Sequence, residues 1–356
     1  CMDPAALIPV ADTIPVHWLW FQVLLTVTFL LHVVAMNIMV GTSIIALVTH
    51  VRSEDAPVSL CRDIAKKIPF FIAFAVNFGV APLLFVQVLY GHFMYTSSVL
   101  MATFWLSIIG LLIIAYGCTY FFDFKYDDLL GNRALVLSIP VVIFLTIGFL
   151  FSNNFTLMLV PETWVGYFNN NDGTLLNLAE PSLIPRYLHM MVSAVAVGGL
   201  AIALYYDFIQ RRGQQIPEGR IQLGCHWFSI ATGINFIIGF LFLESLPAAV
   251  KDVSTGAGLF FAISLFGGIV SGGFSIVLGF VYKVRQCAMA ALLAIFFMVL
   301  TREAVRVGYL KPYFTVTDLQ VMPQYSPMII FFIVFAGGIW FIWYMLKLAF
   351  QVGEVE

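Results

Sequence analysis

The chain has 356 residues, of which 61% are hydrophobic and only 10% charged, with a formal net charge of −2; an ordinary soluble domain carries about a quarter charged residues. This composition excludes a soluble globular enzyme and a disordered chain, and the missing basic surplus excludes a nucleic-acid binder. What remains is a polytopic membrane protein, whose function must be sought among the few polar residues kept inside apolar spans.

A hydrocarbon core about 30 Å thick needs roughly 20 apolar residues per helix. Nine stretches qualify, at about 17–49, 69–95, 100–122, 135–160, 187–209, 221–246, 257–282, 286–308 and 327–350. The expected fold is all-α, a bundle of about nine transmembrane helices forming a single integral membrane domain over residues 1–356. The first span is long enough to tilt or to begin at the interface, and His17, Trp18 and Trp20 at its start suit an interfacial belt. No internal repeat is visible among the spans. The outer connections 161–186 and 309–326 are rich in Pro, Asn, Asp and Tyr, as ordered surface loops are.

Basic residues set the orientation. Twelve Lys and Arg fall in or beside one set of connections, among them Arg62, Lys66, Lys67, Arg211 and Arg212; the other set holds five, Arg186, Lys251, Arg302, Arg306 and Lys311. This predicts that the first set is cytoplasmic, with the N-terminus outside, the C-terminus inside and the protein in a bacterial inner membrane. Cys61, Cys118, Cys225 and Cys287 lie toward the predicted cytoplasmic side, where thiols stay reduced. No C-x-x-C pair signals an iron–sulfur, zinc or covalent c-type haem site. No cleavable signal sequence is read; the opening Cys1-Met2 fits either a lipid-modified cysteine left by signal removal or a trimmed start.

Ionisable groups inside a bilayer are costly, so each is a candidate for function. They are His32, His189, His226, Glu244 and Glu303, with His92 and Asp207 nearer the span ends. His32 is either a helix-to-helix hydrogen bonder or an axial ligand to haem iron. His189 opens the fifth span and precedes Ser193, Ala194, Ala196, Gly198 and Gly199, small residues that permit close helix approach or leave room for a flat macrocycle. Arg186, one turn earlier, could pair with a propionate. Glu303 and Arg306 are an i, i+3 pair, readable as a structural ion pair or as a carboxylate ligand beside a propionate-holding arginine. Glu244 is a proton or quinone contact or a solvated end residue, and His226 reads as a satisfied interfacial histidine. The cytoplasmic half has few buried ionisable groups, which argues against an ion pump and suits redox chemistry near the outer face.

These residues, taken in order, resemble subunit I of the cytochrome bd-type quinol oxidases over about 17–310. The first span reads Phe21-Gln22…Leu31-His32 with Gly41 nine residues on; the second reads Val76-Asn77-Phe78-Gly79-Val80-Ala81 and Gln87-Val88-Leu89-Tyr90-Gly91. The fourth ends Ser152-Asn153-Asn154…Val160-Pro161-Glu162-Thr163-Trp164, the fifth begins Pro185-Arg186-Tyr187-Leu188-His189, and the eighth ends Glu303-Ala304-Val305-Arg306. The resemblance implies haem iron ligated by His32, His189 and Glu303, with His92 a candidate substitute and Arg186 and Arg306 holding propionates.

The departures carry information too. Gln87 replaces a family Glu, and an amide cannot relay a proton as a carboxylate does. The third span lacks the family's next carboxylate at Met101–Trp105, and the seventh lacks the Arg and Met flanking the low-spin haem. The long quinol loop is absent, although Glu244 and Lys251 remain at its place. The resemblance therefore implies a haem b subunit (one to three haems) of a respiratory complex. It would pass electrons between a quinone pool, menaquinone or ubiquinone, and a periplasmic multihaem cytochrome c, alongside other membrane subunits and lipid. A quinol-dependent oxygen reductase is one alternative. A haem-less anchor or transporter that kept the fold is the other.

Overall fold

The computed structural model describes residues 4–52 and 58–352. Cys1, and with it the question of lipidation, lies outside them. Among the described residues nine helices are long and apolar enough to cross a membrane. They are α1 (Trp18–Arg52), α2 (Ile68–Leu100), α3 (Ala102–Phe124), α4 (Arg133–Leu159), α5 (Leu183–Arg211), α6 (Arg220–Ser245), α7 (Gly256–Phe280), α8 (Val284–Leu310) and α9 (Tyr325–Val352). Each lies within a few residues of its expected span, because about twenty uninterrupted apolar residues leave a chain in lipid little choice but to bond its own backbone. Among the elements the sequence reading did not place is a short helix at Val58–Ala65. It buries Leu60, Cys61, Ile64 and Ala65 while Arg62 reaches Asp127 at 2.7 Å.

Spans α1–α8 form two four-helix groups of matching construction. In the first, α1 lies along α2 and α3 along α4; in the second, α5 lies along α6 and α7 along α8. The groups meet where α1 packs on α5. This corrects the sequence reading, which found no repeat. What repeats is helix placement, and lipid-facing positions can hold any apolar side chain, so residue identity carries little of it.

The meeting line is set by two glycines. A methyl group added to Gly41 would meet the Ala194 carbonyl and come within 2.9 Å of the Gly198 Cα; one added to Gly198 would lie 2.6 Å from the Gly41 Cα. Backbone thus rests directly on backbone, the contact that small residues allow between membrane helices. Helix α2 carries Pro82 and breaks helical geometry at Tyr90 (φ −133°, ψ 30°), so it bends around the first group.

At one end of the bundle the N-terminal segment and two loops interlock. Ile14 bridges Val321, its N–H donating to Gln320 O at 2.9 Å. Trp164 Nε1 donates to Leu157 O at 2.8 Å, and the Asn177 N–H donates to Asn153 Oδ1 at 3.2 Å. Tyr309 donates to Glu180 Oε1 at 3.2 Å. At the other end Asp207 accepts from Arg211 at 2.9 Å and from Arg285 at 3.3 Å, and Tyr206 donates to Asp63 at 2.9 Å. Helix α9 has its span exposed all round and touches α1 where Phe332 meets Trp20.

Candidate functional site

A cavity of about 540 Å³ runs through the interior and takes wall residues from all eight spans of the two groups. The walls are overwhelmingly apolar, with Phe29, Phe144 and Phe151 on one side and Phe228, Phe236 and Met298 on the other. The ionisable residues that line it are His32, His189, Arg186 and Arg302.

His32 projects from α1 onto α2. Its ring lies over Gly79, where a Cβ would stand 2.9 Å from Nδ1 and Cε1. Nδ1 lies 2.9 Å from Ala75 O. Only an N–H can bond a carbonyl, so Nδ1 carries the proton and Nε2 is the nitrogen left with its lone pair. A backbone carbonyl holding one imidazole nitrogen so that the other can bind metal is the usual outer support of a ligating histidine. Gly79→Ala should push the ring off this seat, since the nearest atoms belong to the imidazole itself. The expected result is a folded protein whose His32 Nδ1 has lost its bond to Ala75 O, read as a shifted or exchange-broadened imidazole N–H signal by NMR.

His189 repeats the arrangement from α5 onto α6. A Cβ on Gly239 would stand 3.2 Å from its Cε1 and 3.4 Å from its Nδ1. Asn235 precedes Gly239 by four residues, as Ala75 precedes Gly79. Here Nδ1 turns toward the Asn235 backbone, as that of His32 turns toward Ala75, while Asn235 Nδ2 donates to Ser193 Oγ at 2.7 Å and its Oδ1 is buried without a partner. A buried polar atom left unpaired costs about 1–3 kcal/mol, so Asn235 Oδ1 marks a wall built for something more than packing.

Three arginines gather around one end of this wall and its neighbour. Arg302 lines the cavity between the rings of Phe29 and Phe155, at 4.1 and 4.6 Å, and donates to Glu303 at 3.1 Å. Arg306 donates to the other oxygen of Glu303 at 2.7 Å. Arg186 lies over Phe242 at 5.3 Å. Nε and Nη2 of Arg186 and Nη2 of Arg306 are buried without partners. A guanidinium cannot shed its charge, so these donors point to an anionic group as their missing partner.

The structure does not bring the other sequence candidates into the cavity. Glu303 is buried, and its two oxygens accept from Arg302, Arg306 and, at 3.0 Å, Gln22. In this arrangement it anchors the two arginines. His92 packs instead against Phe93 and Phe314, with ring centroids at 4.4 and 4.5 Å. Gln87 is half-buried on α2 away from the cavity walls. Glu244 is exposed, and Lys251 donates to the carbonyls of Leu243 and Glu244 at 3.3 and 3.4 Å, closing the end of α6. His226 pairs with the Tyr282 hydroxyl at 2.9 Å, as expected of an interfacial histidine.

Sequence reasoning missed Gly79, Gly239 and Asn235. Gly79 stands inside the second-span motif quoted above without a role of its own, and nothing in the local sequence sets Gly239 or Asn235 apart. No protein family, curated protein or solved structure matches the chain.

The site can be tested for what it would hold. A bare metal ion needs three or more ligands together, and among the described residues no such cluster of His, Cys, Asp or Glu occurs. Single imidazoles in an apolar space, each seated on a glycine, with the unpaired Arg186 donors in the same cavity wall, suit an iron already held by a flat macrocycle with acidic side arms.

Proposed function

We propose that the chain is a haem b-bearing membrane subunit of a respiratory electron-transfer complex. The observation that carries this reading is a single one: His32 and His189 face one apolar cavity at whose wall Arg186 keeps two buried nitrogens without hydrogen-bond partners. Haem b supplies one-electron redox chemistry through its iron, and its environment tunes the potential. The chain's own residues do the rest. His32 and His189 offer imidazole nitrogen. Arg186 and Arg302 hold carboxylates, which a planar guanidinium does bidentately. The phenylalanine walls exclude water.

The excess of basic residues on one set of connections supports placing the cavity's arginine-rich end outside, in a bacterial inner membrane. There it would face a periplasmic multihaem cytochrome c, with other membrane subunits beside α9. Exposed Glu244, next to Lys251 at the end of α6, is where a menaquinone or ubiquinone head group would meet the chain. The engagement of Glu303 and the position of Gln87 outside the cavity count against oxygen reduction.

A reduced-minus-oxidised spectrum of the purified protein tests the reading. It should show b-type bands, diminished in His32→Ala and again in His189→Ala. A spectrum flat in this region would overturn it in favour of a haem-less anchor or transporter.

A further inference from the structure

We infer that α1–α4 and α5–α8 are two copies of one cofactor-holding unit, and that their imidazoles lie at the same depth in the membrane. The choice of ligand rests on the haem reading above; the equivalence rests on the chain alone. Helices α1 and α5 are the first and fifth spans, so they run in the same direction. They touch where Gly41 meets Gly198. His32 stands nine residues before the first of these glycines and His189 nine before the second. At 1.5 Å per residue, each ring sits about 14 Å along its helix from the shared contact, on the same side of it. Each ring then leans outward onto the second helix of its own group, over Gly79 in one and Gly239 in the other. The same seat occurs twice, related by the pairing of α1 with α5.

Equal depth has an electrical consequence. Two redox groups held by these imidazoles feel the same fraction of any transmembrane potential. When one electron passes between them, the first group is oxidised as the second is reduced, and the charge moves along the membrane plane. The exchange neither builds nor draws on the potential. Within this chain, charge crosses the bilayer only if another step carries it.

The test uses the full-length protein in sealed vesicles. Haem content and the spectra of His32→Ala and His189→Ala assign one spectral component to each histidine. Gly79→Ala and Gly239→Ala, which leave both histidines in the chain and displace one ring at a time, give a second assignment. A potassium diffusion potential of about 100 mV is then imposed at fixed redox poise. Groups separated by the whole core would change their ratio of reduced populations about fiftyfold. Equal depth predicts a change below twofold. A change of twofold or more, or haem at only one histidine, would overturn this inference and leave the haem-subunit reading standing; a protein without haem would end that reading itself.

Discussion

Replacing Gly198 with valine should leave the two halves of the bundle unable to assemble. A first side-chain carbon there would lie 2.6 Å from the Gly41 Cα and from the Thr42 nitrogen. Those atoms are backbone, held in the middle of a long helix, and have no rotamer to move into. Helices α1 and α5 would have to part along their length. In lipid no hydrophobic drive pulls them back, since association there depends on packing. Overpacking a soluble core typically costs about 1–3 kcal/mol, and the cost here should reach or pass the top of that range. The expected result is aggregation after detergent extraction, read as loss of the monodisperse peak in gel filtration. Gly273→Val is the control, because a Cβ there meets nothing within 4 Å; it should behave as the parent.

The second large effect is expected at Glu303. Its carboxylate is shared by Arg302, Arg306 and Gln22, and both Glu303 and Arg306 are buried. Removing one partner of a buried ion pair strands the other and costs about 3–5 kcal/mol. Glu303→Ala strands two guanidiniums at once, so the melting temperature should fall steeply and Glu303→Asp should recover part of the loss. Haem content separates the two roles considered for this residue. An anchor predicts that Glu303→Gln lowers stability while both histidine-held components remain. An iron ligand predicts that one component disappears with the carboxylate.

The spans were legible because hydrocarbon demands long apolar runs, and that demand is written in composition. His32, His189 and Arg186 were legible for the complementary reason, as polar groups too costly to place in a membrane without use. The i, i+3 spacing of Glu303 and Arg306 left an ion pair and an iron ligand both open, and the structure has the pair at 2.7 Å. Other features depended on what lies opposite. Gly79 and Gly239 are two among 27 glycines, and only the ring that rests on each distinguishes it. His92 looked like a ligand by its place in the chain, but the bend at Tyr90 and the neighbouring Phe314 turn it into an aromatic cluster. The short helix Val58–Ala65 was missed because eight residues cannot span a membrane and a basic connection hides their pattern.

The central claim is that two imidazoles in this cavity hold haem b. It is tested most directly by a pyridine haemochrome assay on the purified protein, its two single histidine variants and the double variant. The account predicts b-type haem in the parent, about half as much in His32→Ala and in His189→Ala, and none in the double variant. Haem-free protein lacking iron by mass spectrometry, or a double variant that keeps the full haem content, would contradict it.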